Sequence, residues 1–313
     1  MKPHLQTLLV FLLLSIATFA QTPAPERTAP PETPAFKKLL APNATVEKLA
    51  SGMGFTEGPL WHRDGYLLFT DVPRSKIMKW DAKNGLTVFR EPTSRANGLG
   101  FDNKGRLVAC EMEQRRISAT EADGKVVALA DKYNGKRLNT TNDLTVGRDG
   151  AIYFSDPGGG NTGTELDFNG VYRISPSGEL TLLTKDVPRP NGLTFAPDGK
   201  TLYVADMGKQ NVHAFDLKRD GTIANGRIFA TIYPHGNNKA GVADGIKTDV
   251  KGNLYVTGYG GVWVFDKKGQ VQGIIATPEI PSNCAFGDAD FKTLYITART
   301  SLYRIRLTVA GAK

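Results

Sequence analysis

One unit recurs six times along this chain, and a chain built that way has few folds open to it. Each unit opens on a polar residue, usually followed by Gly or Asp. It then runs through an apolar stretch, turns at a DG-type pair and enters a second apolar strand. The openings are EGPLW from Glu57, NGLGF from Asn97, NDLTV from Asn142, NGLTF from Asn191, DGIKT from Asp244 and NCAFG from Asn283. The intervals between them are 40, 45, 49, 53 and 39 residues. Short strands repeating every ~40–50 residues are the pattern of propeller blades.

The second strands end at Asp71, Glu111, Asp156, Asp206, Gly258 and Ala298, always 14 or 15 residues after the opening. That constancy makes each pair a hairpin in fixed register. A third strand follows in every unit, and a fourth in the first five. The sixth unit stops after three, while an unmatched strand, Thr45–Ala50, precedes the first opening. Pairing that strand with Leu302–Leu307 completes the last blade and leaves no open edge at the closure. The expectation is therefore all-β, a six-bladed β-propeller over residues 37–313; the periodicity disfavours a pair of two-sheet sandwiches. Glycine, at 34 of 313 residues against the usual ~7%, fits the many turns.

The first 36 residues read differently. Residues 1–20 resemble an export signal: Lys2, an apolar run from Leu8, then Thr18-Phe19-Ala20 as a cleavage site. The 13 residues from Leu8 to Ala20 fall short of the ~18–20 that span a bilayer. A secreted or periplasmic protein is expected, with no membrane insertion of the mature chain. Residues 21–36 hold five prolines and read as an extended linker without packed structure. Two cysteines, Cys110 and Cys284, exclude a disulfide scaffold and are expected to be free and buried. The net charge of +8 is spread without a run of five like charges, so no nucleic-acid partner is expected.

In a propeller the first strand of each blade lines the central channel, so the openings converge on one ring. Glu57, Asn97, Asn142, Asn191, Asp244 and Asn283 form a set of carboxylates and amides without His or Cys. Oxygen ligands of that kind suit a hard divalent cation, Ca²⁺ first, with Mg²⁺ or Mn²⁺ as alternatives. Zn²⁺ is the least suited, because the four histidines show no ligand spacing. Asn and Asp before Gly are also turn residues; Glu57 does not share that habit.

The same residues carry a resemblance. FTEGPLW, RLNTTNDLTVGRDGAIYFSDP, RPNGLTFAPDG, DGIKTDVKGNLYVTGYGGVWVFD and the closing NCAFGDADFKTLYITARTSLYRIRL resemble the family of senescence marker protein (regucalcin), gluconolactonase and luciferin-regenerating enzyme, in its gluconolactonase branch. The match spans about residues 45–308. It implies one divalent metal held by Glu57, Asn142, Asn191 and Asp244, and hydrolysis of a sugar lactone. Asp244 would also be the candidate general base, with Asn97, Glu111 and Arg137 as substrate-binding candidates. A monomer acting on a small lactone is the expected form. Two departures stand out. Thr140 occupies the place of an Arg found two residues before the Asn-Asp pair in the animal branch, with Arg137 further upstream. Met112 stands where gluconolactonases often carry a His, and His235 is a possible substitute. Two other functions fit the same features: a related propeller esterase or phosphotriesterase, and a non-catalytic ligand-binding propeller.

Overall fold

The second strand of each unit is an unbroken apolar run because both of its faces are buried, as in the central strands of covered sheets. In Tyr66–Asp71, Leu67 and Phe69 pack to one side and Leu68 to the other. In Ile152–Asp156, Ile152 and Phe154 pack one way and Tyr153 the other. This two-residue alternation feeds six hydrophobic clusters, one at each junction between neighbouring blades.

The structure is a computed structural model and describes Met1, residues 27–158 and residues 163–312. Among these residues there are six four-stranded antiparallel sheets. Five are consecutive meanders whose inner strands are Thr56–His62, Ala96–Phe101, Leu144–Val146, Pro190–Phe195 and Ile246–Thr248. The sixth has Pro281–Gly287 innermost and Glu47–Ala50 outermost. The inner strands of neighbouring blades touch in an unbroken ring around the channel. This is the expected six-bladed propeller.

Closure follows the expected pairing. Glu47–Ala50 lies antiparallel to Ser301–Arg306, with Glu47 opposite Arg304 and Ala50 opposite Leu302. Arg304 Nε and Nη2 each reach Glu47 Oε2 at 2.9 Å across that seam. Cys110 and Cys284 lie in different junctions and are free. Burial pushes the Cys284 thiol up to about 12 and the Cys110 thiol well above its usual range.

The linker expectation needs correction at its C-terminal end. The export signal (from residue 2) and the linker up to residue 26 lie outside the described residues. The Arg27 carbonyl already accepts from Gly236 N at 3.2 Å, the Arg27 guanidinium lies over the Tyr233 ring, and from Thr33 the chain is packed. Thr33 Oγ accepts from Phe36 N at 3.0 Å and starts a helix, Pro34–Leu39, with proline at its first position. Thr33 N also donates to the Gln272 carbonyl at 2.9 Å. Phe36 is 1% exposed and sits against Gly273, whose missing side chain makes the room. Five prolines masked a segment that docks through Arg27, Thr33 and Phe36. No helix among the described residues is long and apolar enough to cross a membrane.

Candidate metal and active site

Two devices place the opening residues. In three blades the carboxylate that ends the second strand reaches back to the backbone just ahead of the inner strand. Asp71 accepts from Gly54 N and Phe55 N, three and two residues before Glu57. Asp156 accepts from Asn139 N at 2.7 Å, ahead of Asn142, and Asp206 from Arg189 N at 3.1 Å, ahead of Asn191. The spacing of 14 or 15 residues is thus the length of a hairpin whose far end fixes its own entry. Burial raises Asp156 to about 6, against the pull of the Asn139 and Thr140 amides.

The glycine after an opening residue allows the neighbouring blade to approach. A Cβ on Gly192 would stand 2.4 Å from the Asp244 carbonyl oxygen, and one on Gly98 2.6 Å from Asp143 Cα. Only a bare backbone permits such contact. Neighbouring inner strands are therefore pressed together at the openings, which crowds their side chains.

Glu57, Asp143, Asn191, Asn97 and Asp244 are all between 3% and 9% exposed. Asn283 Nδ2 donates to Glu57 Oε2 at 3.0 Å and to Asp143 Oδ2 at 3.2 Å, so one amide ties carboxylates from two other blades. Burial, and then the Asp143 charge, push Glu57 up to about 7; the Asn283 and Gly58 hydrogen bonds and the Lys247 charge act the other way. Burial drives Asp244 well above the carboxylate range, with the charges of Glu57 and Asp143 adding to it and the Asn191 amide opposing. Three carboxylates within each other's field and shut from water call for a positive charge.

The amides add acceptors. Asn97 Nδ2 points at Met112 Sδ (3.6 Å) and Asn191 Nδ2 at Met207 Sδ (3.4 Å), equivalent contacts in two blades. Their Oδ1 atoms are buried and have no hydrogen-bond partner. The Asn142 side chain is half-buried and makes no hydrogen bond among the described residues, while its backbone carbonyl accepts from Gly98 N at 2.8 Å. Orphaned oxygens beside buried carboxylates fit a hard cation. Among the described residues no three His, Cys, Asp or Glu side chains are grouped as a metal site; the set present mixes carboxylates with amides.

The family profile described as SMP-30/Gluconolactonase/LRE-like region matches residues 55–300. The chain belongs to this family. The gluconolactonase of Zymomonas mobilis subsp. mobilis is 31% identical over 306 residues, covering 89% of this chain and 86% of that protein. The solved structure of a gluconolactonase from Xanthomonas campestris is 34% identical with a TM-score of 0.80, covering 92% of this chain and 99% of that one. Regucalcin of Bos taurus is 26% identical over 250 residues, covering 77% of this chain and 82% of that protein.

In this member of the SMP-30/gluconolactonase family, the outer candidates fare unevenly. Glu111 does not stand free for substrate. Its Oε2 accepts from Arg116 Nε and its Oε1 from Ser118 Oγ, both at 2.7 Å, within its own blade. A Glu, one methylene longer than the Asp of the other blades, reaches the next strand instead of the entry loop. Arg137 lies on a short hairpin strand, Lys136–Arg137, and its Nη2 donates to the Gln114 carbonyl at 2.8 Å. His235 has both ring nitrogens engaged, Nδ1 with the Tyr233 carbonyl and Nε2 with Asn238, each at 3.2 Å. Its ring is thus held within its own loop. Two residues were missed. Asp143 sits in the middle of the cluster; the signal was a charged residue where other openings carry Gly. Arg115 Nε donates to the carbonyls of Leu138 (2.6 Å) and Asn139 (2.9 Å) and so holds the loop that leads to Asn142.

Proposed function

We propose that the protein is an exported, metal-dependent lactonase that opens a sugar lactone ring. The observation that carries this reading is the buried cluster at one end of the channel. There Glu57 and Asp244 lie within each other's field beside the unpartnered Oδ1 of Asn191 and Asn97. Relatives named gluconolactonase, one 31% identical across 89% of this chain, support the lactone as substrate. A relative named pentonolactonase, from Haloferax volcanii, supports the same class of bond.

Glu57, Asn142, Asn191 and Asp244 would hold one divalent cation, Ca²⁺ before Mg²⁺ or Mn²⁺, since all four offer oxygen. Such a cation supplies a Lewis acid for the lactone carbonyl. The chain's own residues do the rest. Asn97, in the neighbouring blade, offers its free Oδ1 to a substrate hydroxyl. The Met112 thioether beside it takes no part in proton transfer. Asp244 accepts the proton of the attacking water as the carbonyl carbon gains a C–O bond. The ring C–O bond then breaks, and the departing oxygen takes a proton, leaving an open-chain hydroxy acid. Export rests on residues 1–20, and places the enzyme in the periplasm or outside the cell.

The test is hydrolysis of an aldonolactone panel, set against aryl esters and phosphotriesters, before and after chelation and with metal added back. Aldonolactone turnover that falls on chelation and returns with Ca²⁺ is expected. Asp244→Asn should lower turnover by at least about a hundredfold, the scale of losing a general base or a key charge. Undiminished turnover in chelator overturns the metal, and turnover of aryl esters alone overturns the substrate.

A further inference from the structure

The channel's other end holds a cavity. It is about 310 Å³ in volume and lies where the inner strands of three blades finish, at Thr145–Val146, Thr194–Phe195 and Lys247–Thr248. The carboxylate cluster lies at the start of these inner strands, and the cavity at their finish. Four cations line it: Arg148, Lys218, Arg219 and Lys247.

None of the four forms an ion pair among the described residues. Lys247 Nζ donates only to the Ile246 carbonyl, at 3.0 Å, and Arg148 Nη2 only to the Pro197 carbonyl, at 2.6 Å. Lys218 and Arg219 are exposed at the rim. The one lining acid, Asp149, is occupied: Arg173 Nη2 holds it at 2.9 Å and Ala151 N at 3.1 Å. Asp220, next to the rim, accepts from Thr222 N (2.9 Å) and Thr222 Oγ (2.7 Å), and Lys218 lies in its field without forming an ion pair. Thr145 and Thr194 line the same space, and neither hydroxyl forms a hydrogen bond among the described residues.

Unpaired cations around a concave space concentrate anions, and one held inside the channel does so in a lower dielectric than the rim. Lys247 is that residue: half-buried on an inner strand, with its charge felt by Glu57 and Cys284. We infer that this cavity, ringed by Arg148, Lys218, Arg219 and Lys247 with the Thr145 and Thr194 hydroxyls, binds a small hydroxylated anion, a carboxylate or phosphate ester, at a site separate from the carboxylate cluster. The ammonium and guanidinium groups take the anionic head, and the two threonines take its hydroxyls.

Isothermal titration calorimetry at fixed ionic strength tests this, with gluconate, glucose 6-phosphate, inorganic phosphate and neutral glucose as probes. One of the two organic anions should bind at one site per chain, and glucose should not. Which of the two binds more tightly tells carboxylate from phosphate. Lys247→Met keeps the aliphatic stem and should weaken binding at least about tenfold, the worth of one charge-assisted hydrogen bond. Should that variant fail to fold, the exposed pair Lys218→Gln and Arg219→Gln should weaken binding about threefold. Asp244→Asn should leave it unchanged. Binding of inorganic phosphate alone, no binding of either organic anion, equal binding by the cation variants, or loss of binding in Asp244→Asn would each overturn the inference.

Discussion

Without a cation, this protein should lose stability as pH rises from 4.5 to 7, the reverse of what most acidic groups do. Glu57 is the clearest source. Its carboxyl ionises near 4.5 in an unfolded chain and at about 7 in the fold. Between those values the unfolded chain has shed the proton and the folded one has kept it. The folded state binds more protons, so stability falls with pH across this window. A difference of about 2.5 pKa units at about 1.36 kcal/mol each gives a loss of about 3 kcal/mol. Asp156, raised to about 6, and Asp244 act in the same direction. His213, lowered by burial, acts against them below about pH 6.5. Glu57→Gln isolates the effect. Urea unfolding of chelator-treated protein at intervals from pH 4.5 to 8 should show a fall in the parent that is smaller by about 3 kcal/mol in Glu57→Gln. Saturating Ca²⁺ should remove the fall, because a cation favours the ionised carboxylates. Parallel curves for parent and variant would refute the reasoning, since Glu57 would then titrate alike in both states.

Three further outcomes follow from the packing. Phe36→Ala should cost about 3–5 kcal/mol, the range for emptying a buried aromatic site, in a urea melt of the metal-loaded protein. Asp206→Ala leaves Arg189 N and Gly208 N without their acceptor and should loosen Asn191. Lactone kcat should fall about tenfold while circular dichroism still reports the β-fold. Cys110 and Cys284 should resist a thiol reagent at pH 8 until urea exposes them, because burial keeps both protonated.

Much of the architecture was legible because a propeller repeats its constraints. The apolar second strands, the 14–15-residue hairpins and the unmatched strand before Glu57 each specify pairing locally, and the closure of Glu47–Ala50 on Ser301–Arg306 adds one long-range step. What could not be read were contacts made across blades. Asn283 bonds Glu57 and Asp143 from residues 226 and 140 positions away. No periodicity encodes that distance. Glu111 and Asp206 share a repeat position, yet one methylene sends Glu111 to Ser118 while Asp206 holds Arg189.

The glycines of the openings show why the ring itself was only half legible. Asn-Gly and Asp-Gly read as turns, and a turn explanation suits any one of them. In the fold, Gly98 and Gly192 lie within inner strands, where their bare backbone lets the next blade press against them. That close approach crowds the carboxylates out of water, and the crowding raises Glu57 and Asp244 together. Packing and chemistry are therefore one constraint. A Cβ at Gly192 would force the Asp244 backbone away, so Gly192→Ala should weaken Ca²⁺ binding as well as the fold. Gly65→Ala is the control: it lies in an open turn with nothing within 4 Å and should lower stability through its positive φ alone. Calcium titration monitored by calorimetry separates the two. Equal Ca²⁺ affinity in both variants would mean that blade contact at the openings does not set the geometry of the site.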